Sequence, residues 1–186
     1  MSSNHVFFAI PLPQTIKEYL HMSCENLNRD FPFKRWVHRE DYHITLAFLG
    51  HAEKSQLETA INDIREMIVD TSPFKLQIHG LGTFGRKEAP RIFWAGLLAS
   101  PELYILREKV YNSCLNAGFQ LDTRPFNPHI TLARKWDESF CPFSSENLKK
   151  ITIHPPSFQV NEIVLYETVL EAVPKYHKKA VIHLGD

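Results

Sequence analysis

The pentapeptide His-Ile-Thr-Leu-Ala at His43–Ala47 recurs letter for letter at His129–Ala133, 86 residues further along the chain. Chance would give a shared pentapeptide in roughly one chain of this size in a hundred. The same displacement carries Val-Phe-Phe-Ala-Ile at Val6–Ile10 onto Ile-Phe-Trp-Ala-Gly at Ile92–Gly96. Two matches in one register predict that the chain contains two copies of one structural unit.

The residues around the repeats predict alternating strands and helices. Runs of β-branched and aromatic residues are typical of strands, and Ile16, Leu20 and Leu27 follow a helical spacing. On this basis we predict strands at 6–10, 42–49, 74–78, 91–97, 129–133, 158–167 and 179–184, helices at 15–27, 55–68 and 102–117, and a helical turn at 146–150. Each copy is therefore a β-α-β unit with an additional strand.

The two copies are predicted to form one domain, because no Gly/Ser-rich linker separates them. We expect a single α+β domain over residues 1–186. It is made of two pseudo-symmetric β-α-β-type lobes, at approximately 1–86 and 87–186. Their antiparallel sheets are expected to face a central cleft.

The repeated pentapeptide presents the same chemistry twice. Side chains alternate between the faces of a strand, so His43 and Thr45 share one face while Ile44 and Leu46 share the other. The imidazole and the hydroxyl then lie roughly 6.5 to 7 Å apart along the strand. The second copy does the same with His129, and an approximate dyad would bring both pairs to one cleft.

Two imidazoles flanked by two hydroxyl groups suit phosphodiester chemistry. One neutral imidazole can take a proton from the attacking oxygen, and one imidazolium can protonate the leaving oxygen. Thr45 and Thr131 can donate to the non-bridging oxygens, where charge develops. An isolated His-x-Thr is usually an ordinary strand, and it is the duplication in register that favours catalysis at His43 and His129. A metal site would need a third ligand, and no sequence motif supplies one.

Composition sets the remaining expectations. The chain has 186 residues, 44% of them hydrophobic, with 21 basic and 21 acidic residues and a pI of about 7.2. This excludes disordered and coiled-coil classes, and it provides no overall field for gripping long nucleic acid. Three widely spaced cysteines indicate a reducing compartment. With no signal peptide and no apolar run of membrane-spanning length, we expect a cytoplasmic protein, without membrane association.

Beyond the two His-x-Thr-x motifs, further stretches support a resemblance that covers nearly the whole chain. They are Phe7–Pro13, Trp36–Val37, His43–Gly50, Gly82–Phe84, Pro90–Gly96, Arg124–Arg134 and Val164–Glu167. In these stretches the sequence resembles the 2H phosphoesterase superfamily. Within it, the sequence is similar to the RNA 2′,3′-cyclic phosphodiesterase group, historically called 2′-5′ RNA ligase. The arginine-flanked stretch Arg124–Arg134 is the part that indicates this group.

The resemblance implies an activity and the roles of five residues. RNA ending in a 2′,3′-cyclic phosphate is opened to a 2′-phosphate with the 3′ oxygen leaving, and a reversible 2′-5′ ligation of RNA ends is implied beside it. His43 and His129 divide the acid and base roles, Thr45 and Thr131 hold the phosphate, and Arg134 adds positive charge. The family uses no metal or organic cofactor. The expected partners are RNA ends or small cyclic nucleotides, and the chain shows no sign of an obligate protein partner, which favours a monomer.

Strand parity raises a problem for Arg134. Simple alternation places Arg134 on the face opposite His129 and Thr131. Its guanidinium reaches the phosphate only if the strand ends or bulges after Leu132.

Other residues are candidates for contact with RNA. Phe8 and its repeat partner Trp94 could stack on a base, although aromatic residues in strands are more often in the core. Arg86, Lys87 and Arg91 flank a predicted loop and could guide RNA, as could Lys34 and Arg35, although charged residues of this kind are usually only solvated.

Two alternatives to an RNA phosphodiesterase stay open. The substrate could instead be a cyclic phosphate on ADP-ribose or a 2′-5′ oligoadenylate, since these share the phosphate chemistry. The cleft could also bind a nucleotide or RNA end without turning it over.

Overall fold

A computed structural model describes residues 4–185 of the chain. Its strands are β1 (Val6–Pro11), β2 (Phe33–Trp36), β3 (His43–Gly50), β4 (Phe74–Leu76), β5 (Ile78–Gly85), β6 (Pro90–Leu97), β7 (Ile130–Trp136), β8 (Phe158–Val160), β9 (Glu162–Thr168) and β10 (Tyr176–His183). Its helices are α1 (Gln14–Leu27), α2 (Lys54–Ile68), α3 (Pro101–Asn116) and the short α4 (Ser145–Lys149). The predicted strand at 74–78 ends at Leu76, and β2 and β5 were not predicted.

The strands form one large sheet and one small one. The large sheet has the order β10-β9-β1-β3-β7-β6-β5, with β2 also paired to β7, while β4 pairs with β8. Every pairing is antiparallel, which confirms the predicted α+β fold with antiparallel sheets. The large sheet consists of two strand groups, β10-β9-β1-β3 and β7-β6-β5 with β2. A single bridge between Ile44 in β3 and Ile130 in β7 joins the two groups.

This bridge lies on the axis that relates the two copies of the repeat. Ile44 and Ile130 are equivalent residues of the two pentapeptides, and they pair with each other. The small sheet does the same, since Phe74–Leu76 aligns with Phe158–Val160 at a displacement of 84, and the equivalent residues Lys75 and Gln159 pair with each other. Contacts between equivalent residues are what an approximate twofold axis produces.

The two sequence halves exchange strands across this axis. From the first half, β5 pairs with β6 of the second, and from the second half, β9 pairs with β1 of the first. The predicted lobes at 1–86 and 87–186 are therefore wrong as structural boundaries, because each strand group draws on both halves. The exchange ties the halves into one unit.

The repeat also slips by one residue in its first strand. Phe8 lies opposite Ala47, and Phe93 lies opposite Ala133. Since Ala47 and Ala133 are equivalent, Phe8 corresponds to Phe93 and not to Trp94, so the displacement is 85 in this strand. Phe8 and Phe93 are both fully buried.

Helices cover one face of the large sheet and leave the other open for the site. Buried residues of α1, α2 and α3 join Ile44 and Ile130 in the main core. A fully buried aliphatic side chain contributes roughly 1.5–3 kcal/mol. Helix α3 begins with the Ser100 hydroxyl accepting from the Leu103 amide, and the chain turns out of it at Gly118, where φ is 87°. None of the helices within residues 4–185 is long and apolar enough to span a bilayer.

Candidate active site

The Ile44–Ile130 bridge determines how the two motifs face each other. Both isoleucines point into the core, so the residues on either side of them point to the open face. In an antiparallel pair, this register places His43 opposite Thr131 and Thr45 opposite His129. These four side chains define the cleft, and each is half-buried. The predicted meeting of both His/Thr pairs in one cleft follows from this register.

His43 is held by hydrogen bonds at both ring nitrogens. Its Nδ1 lies 2.7 Å from the carbonyl oxygen of Asp41, and its Nε2 lies 3.1 Å from Oγ1 of Thr45. A carbonyl can only accept, so Nδ1 carries the proton and the Thr45 hydroxyl donates to Nε2. The lone pair of Nε2 is therefore directed toward the cleft.

Asp41 connects His43 to the last strand. Its buried carboxylate accepts hydrogen bonds from the backbone amides of Lys175 and Tyr176, each at 3.0 Å. The ring of Tyr176 meets the His43 imidazole edge-on at 5.0 Å, and the ring of Phe7 lies 4.8 Å away on another side. This enclosure by aromatic rings disfavours a charged imidazole, and burial lowers the pKa of His43 to about 4.

His129 has the same backbone anchor in a more open setting. Its Nδ1 lies 2.7 Å from the carbonyl oxygen of Asn127, so Nδ1 is again the protonated nitrogen of the neutral ring. The ring of Phe84 meets it edge-on at 4.9 Å, and Trp94 is 6.4 Å away. Burial is the main cause that lowers the pKa of His129, and the charge of Arg134 lowers it further.

An arginine clamp fixes the segment that leads to His129. The guanidinium of Arg107, on α3, lies 3.9 Å from the ring centre of Tyr111 and 5.2 Å from that of Phe126. Phe126 comes three residues before His129, and it also packs edge-on against Tyr104. Cation–π contacts of this kind hold an otherwise irregular segment against a helix.

A β-bulge brings Arg134 to the cleft face. Thr131 lies opposite Trp94, and Ala133 lies opposite the preceding residue, Phe93, so Leu132 has no partner of its own. The extra residue reverses the alternation of side chains, so Arg134 lies on the same face as His129 and Thr131. This is the bulge that the strand parity required for Arg134. Its guanidinium interacts with the Tyr176 hydroxyl across the cleft, and its charge acts on both imidazoles.

The predicted base-stacking role of Phe8 is wrong. Phe8 faces the core and is fully buried, because the residue of β1 on the cleft side is its neighbour Phe7. Trp94 does lie on the cleft face. Its indole covers Gly82 so closely that a Cβ there would lie 2.3 Å from two ring atoms. Trp94 stays a candidate for base contact.

The predicted basic contacts lie further out. Arg86 forms an ion pair with Glu138 beyond the end of β5, and it stays an untested prediction. Phe93 faces the core, and Arg91, two residues before it in the strand, is on the same face. Arg91 therefore points away from the cleft. Arg35, by contrast, is the cross-strand partner of Arg134.

Several residues of the site were not predicted. Asp41 and Asn127 each lie two positions before a motif histidine, and this shared spacing is a signal that the sequence offers. Phe7, Phe84 and Tyr176 reach the cleft from other strands, and no local pattern marks them. Within residues 4–185, no group of three or more His, Cys, Asp or Glu side chains is placed to hold a metal ion.

Comparison with known proteins agrees with this geometry. The family described as the 2′-5′ RNA ligase superfamily matches residues 17–171. An RNA 2′,3′-cyclic phosphodiesterase of Geobacillus stearothermophilus is 43% identical over 184 residues, which is 99% of this chain and 58% of that protein. The chain thus spans little more than half the length of that relative. One from Bacillus subtilis is 32% identical over 179 residues, 94% of this chain and 93% of that protein.

A solved structure shows the same fold. The crystal structure of E. coli LigT complexed with 3′-AMP has a TM-score of 0.79 and 25% sequence identity. The match covers 98% of this chain and 99% of that one. The family match, the two relatives and this structure together show that the chain belongs to the 2′-5′ RNA ligase superfamily, whose fold is that of the 2H phosphoesterases.

Proposed function

We propose that the protein hydrolyses RNA 2′,3′-cyclic phosphate ends to 2′-phosphomonoesters by two-histidine acid/base catalysis. One observation carries this: two imidazoles, each anchored at Nδ1 by the carbonyl two residues earlier, lie in one cleft, and Nε2 of His43 meets the hydroxyl of Thr45 there. The names of the relatives from Geobacillus stearothermophilus and Bacillus subtilis support the same reaction.

The reaction is a single displacement at phosphorus. A water molecule attacks, and its proton passes to Nε2 of the neutral imidazole. The bond between phosphorus and the 3′ oxygen breaks, and that oxygen takes a proton from the other, charged imidazole. The phosphate stays on the 2′ oxygen. One water is consumed, and the two histidines end with their protonation states exchanged.

The threonines and Arg134 hold the phosphate. Thr45 donates to His43 in the free protein, and turning that hydroxyl to a phosphate oxygen leaves Nε2 of His43 free to accept from water. Thr131 lies across from His43 and can donate to the other non-bridging oxygen. The guanidinium of Arg134 balances the charge that develops there. Both proton transfers have an agent, so the proposal requires no metal or organic cofactor.

The surroundings favour His43 as the base and His129 as the acid. Aromatic rings enclose His43 and keep its pKa near 4, so it is neutral at physiological pH and ready to accept a proton. His129 is the more open of the two, and it is the one that can carry charge at lower cost.

We further propose that the protein acts as a cytoplasmic monomer on RNA ends. A 2′-5′ ligation of RNA ends would proceed at the same site, with a 5′ hydroxyl in place of water as the nucleophile that attacks the cyclic phosphate and the 3′ oxygen again leaving. A cyclic phosphate on ADP-ribose or a 2′-5′ oligoadenylate would use the same phosphate contacts.

The test is the product formed from an oligoribonucleotide with a 2′,3′-cyclic phosphate end, incubated with the protein in EDTA. We expect only a 2′-phosphate end, identified against authentic 2′- and 3′-phosphate standards. A 3′-phosphate product would contradict the proposed leaving group. Turnover lost in EDTA and restored by zinc or manganese would contradict the metal-free mechanism. Binding of 2′-AMP without turnover of the RNA end, of a cyclic phosphate on ADP-ribose or of a 2′-5′ oligoadenylate would contradict catalysis. The cleft would then be a nucleotide-binding module.

A further inference from the structure

Two arginines face each other directly at the edge of the site. Arg35 in β2 and Arg134 in β7 are partners in the antiparallel ladder. Side chains that are directly opposite share one face of a sheet, and like charges in that position repel each other. A pair of this kind is stabilised when an anion lies between the two guanidinium groups.

The pairing with Arg134 and the position of Trp36 place Arg35 on the cleft face. Trp36 pairs with the buried Ala133, and its ring contacts Phe93 in the core at 6.0 Å. Arg35 therefore points to the opposite face, which is the one that Arg134 occupies. Its side chain is exposed to solvent.

The arginine pair lies where two strands separate. Strand β3 touches β7 only at Ile130, and β2 occupies the same edge of β7 from Ala133 onward. Because the bulge absorbs one residue, Arg134 is about two strand steps beyond Thr131. Adding one strand spacing places Arg35 about 8 Å from Thr131, measured between Cα atoms. Arg134 therefore borders the reacting phosphate, and Arg35 lies on its far side, next to that site and outside it.

The nearby carboxylates are engaged elsewhere. Asp137 forms an ion pair with Lys34, with 3.3 Å between the carboxylate oxygen and Nζ. Glu138 pairs with Arg86, and Glu40 pairs with Lys17 at 2.8 Å. Within residues 4–185, neither Arg35 nor Arg134 forms an ion pair with a carboxylate. The charge of the pair is thus left for a ligand.

We propose that Arg35 binds a second phosphate of the substrate, the one on the 5′ oxygen of the nucleotide that carries the cyclic phosphate, while Arg134 lies between the two phosphates. This inference rests on the proposed function and adds substrate selection to it. A charged track beside the reaction centre follows the backbone of a single strand without reading its sequence. The protein then prefers an oligoribonucleotide end over a cyclic mononucleotide.

The test compares kcat/KM for three substrates. They are adenosine 2′,3′-cyclic phosphate, the same molecule with a 5′-phosphate, and the dinucleotide ApA with a 2′,3′-cyclic phosphate. The second carries a phosphomonoester and the third a phosphodiester, so the comparison separates these two sources of a second phosphate. We expect the dinucleotide to be preferred over the first substrate by at least tenfold.

Arg35→Gln should reduce this preference, and Lys34→Gln is the matched control. Losing a hydrogen bond to a charged phosphate costs about 10- to 100-fold, so the dinucleotide's kcat/KM should fall by that factor more than that of the mononucleotide. The salt dependence of log kcat/KM for the dinucleotide should also become shallower, because one charge contact that salt screens is lost. Lys34 is adjacent, exposed and paired with Asp137, and its substitution should leave the preference intact.

The outcomes separate the two proposals. Wild-type turnover of all three substrates without preference, or equal losses on all three in Arg35→Gln, would overturn the second-phosphate site and leave the proposed function standing. If wild type turned over none of them, the proposed function would fail. The second-phosphate site would then be tested by calorimetry, which gives the affinities of wild type and Arg35→Gln for 2′-AMP and for ApA ending in a 2′-phosphate. The site is supported if Arg35→Gln lowers the affinity for the dinucleotide only, and it is contradicted otherwise.

Discussion

The two copies of His-Ile-Thr-Leu-Ala have the same backbone arrangement but different surroundings. In each copy, the carbonyl two residues before the histidine accepts from Nδ1 at 2.7 Å. Phe7 and Tyr176 enclose His43, however, while His129 lies in a more open setting. Both β3 and β7 have a bulge after the threonine of the motif. Beyond the bulge, Phe48 in the first copy is equivalent to Arg134 in the second, and Phe48 is exposed.

This difference shows how a duplicated unit can perform an asymmetric reaction. The backbone hydrogen bonds fix one tautomer on both rings, which makes either Nε2 competent to accept a proton. The environment then separates the two imidazoles, because enclosure lowers the pKa of His43 to about 4, while His129, whose pKa burial also lowers, lies in the more open setting. The repeat accounts for the symmetric geometry, and the side chains outside the repeat make the two surroundings differ, which is the basis of the proposed division of roles.

Removing either imidazole should have the largest effect. We expect His43→Ala and His129→Ala each to lower kcat by about 10²–10⁴-fold, the usual contribution of a proton-transfer group. KM should change little, since the threonines and Arg134 remain. Steady-state kinetics on the cyclic phosphate measures this, with His79→Ala, an exposed histidine outside the motifs, as the control. Near-normal turnover in either motif variant would contradict the two-histidine mechanism.

Substituting Arg134 should have a smaller effect and also shift the pH profile. We expect Arg134→Gln to lower kcat/KM by about 10- to 100-fold through the lost contact with the phosphate. A cation beside an imidazole lowers its pKa, and Arg134 does so for both histidines. One acid and one base give kcat/KM a bell-shaped pH profile. Without Arg134 both pKa values rise, so this profile should move to higher pH on both limbs. Arg65→Gln, on α2, is the control. A profile that stayed in place would contradict the electrostatic role of Arg134.

The wall beside His129 can be tested through Gly82. A Cβ at this position would lie 2.3 Å from two atoms of the Trp94 indole, so Gly82→Ala must displace the ring. Overpacking of this kind costs about 1–3 kcal/mol in the free energy of unfolding. Denaturant titration should show the loss in Gly82→Ala and a smaller additional loss when Trp94→Ala is already present, because the clash is then absent. Equal losses in both backgrounds would mean that the indole does not depend on this glycine.

Much of the reaction centre could be predicted because it is encoded locally. Strand alternation and an exact repeat were enough to place His43, Thr45, His129 and Thr131 on one face, and the parity argument identified the bulge that Arg134 requires. The lobes were misjudged because the exchange of strands between the halves is a long-range feature. Nothing in the local sequence of β5 or β9 shows which strand each will pair with.

The aromatic residues were harder to predict for a related reason. Phe8 and Phe7 are adjacent aromatics in a strand that is covered on both faces, so apolar character alone does not distinguish the cleft side from the core side. A one-residue slip in the repeat then suggested the wrong one, since it paired Phe8 with Trp94. Tyr176 is placed by the carboxylate of Asp41, a contact across 135 residues that no local pattern reveals.

The central claim, that His43 is the base and His129 the acid, is tested most directly with a sulfur leaving group. The substrate is a 2′,3′-cyclic phosphate whose 3′ oxygen is replaced by sulfur. A thiol has a pKa of roughly 8.5, so it leaves as the thiolate with little need for a proton donor. We predict that His129→Ala turns over this substrate to within about tenfold of wild type, while His43→Ala keeps the deficit that it shows with oxygen. Recovery of His43→Ala instead of His129→Ala would contradict the assignment.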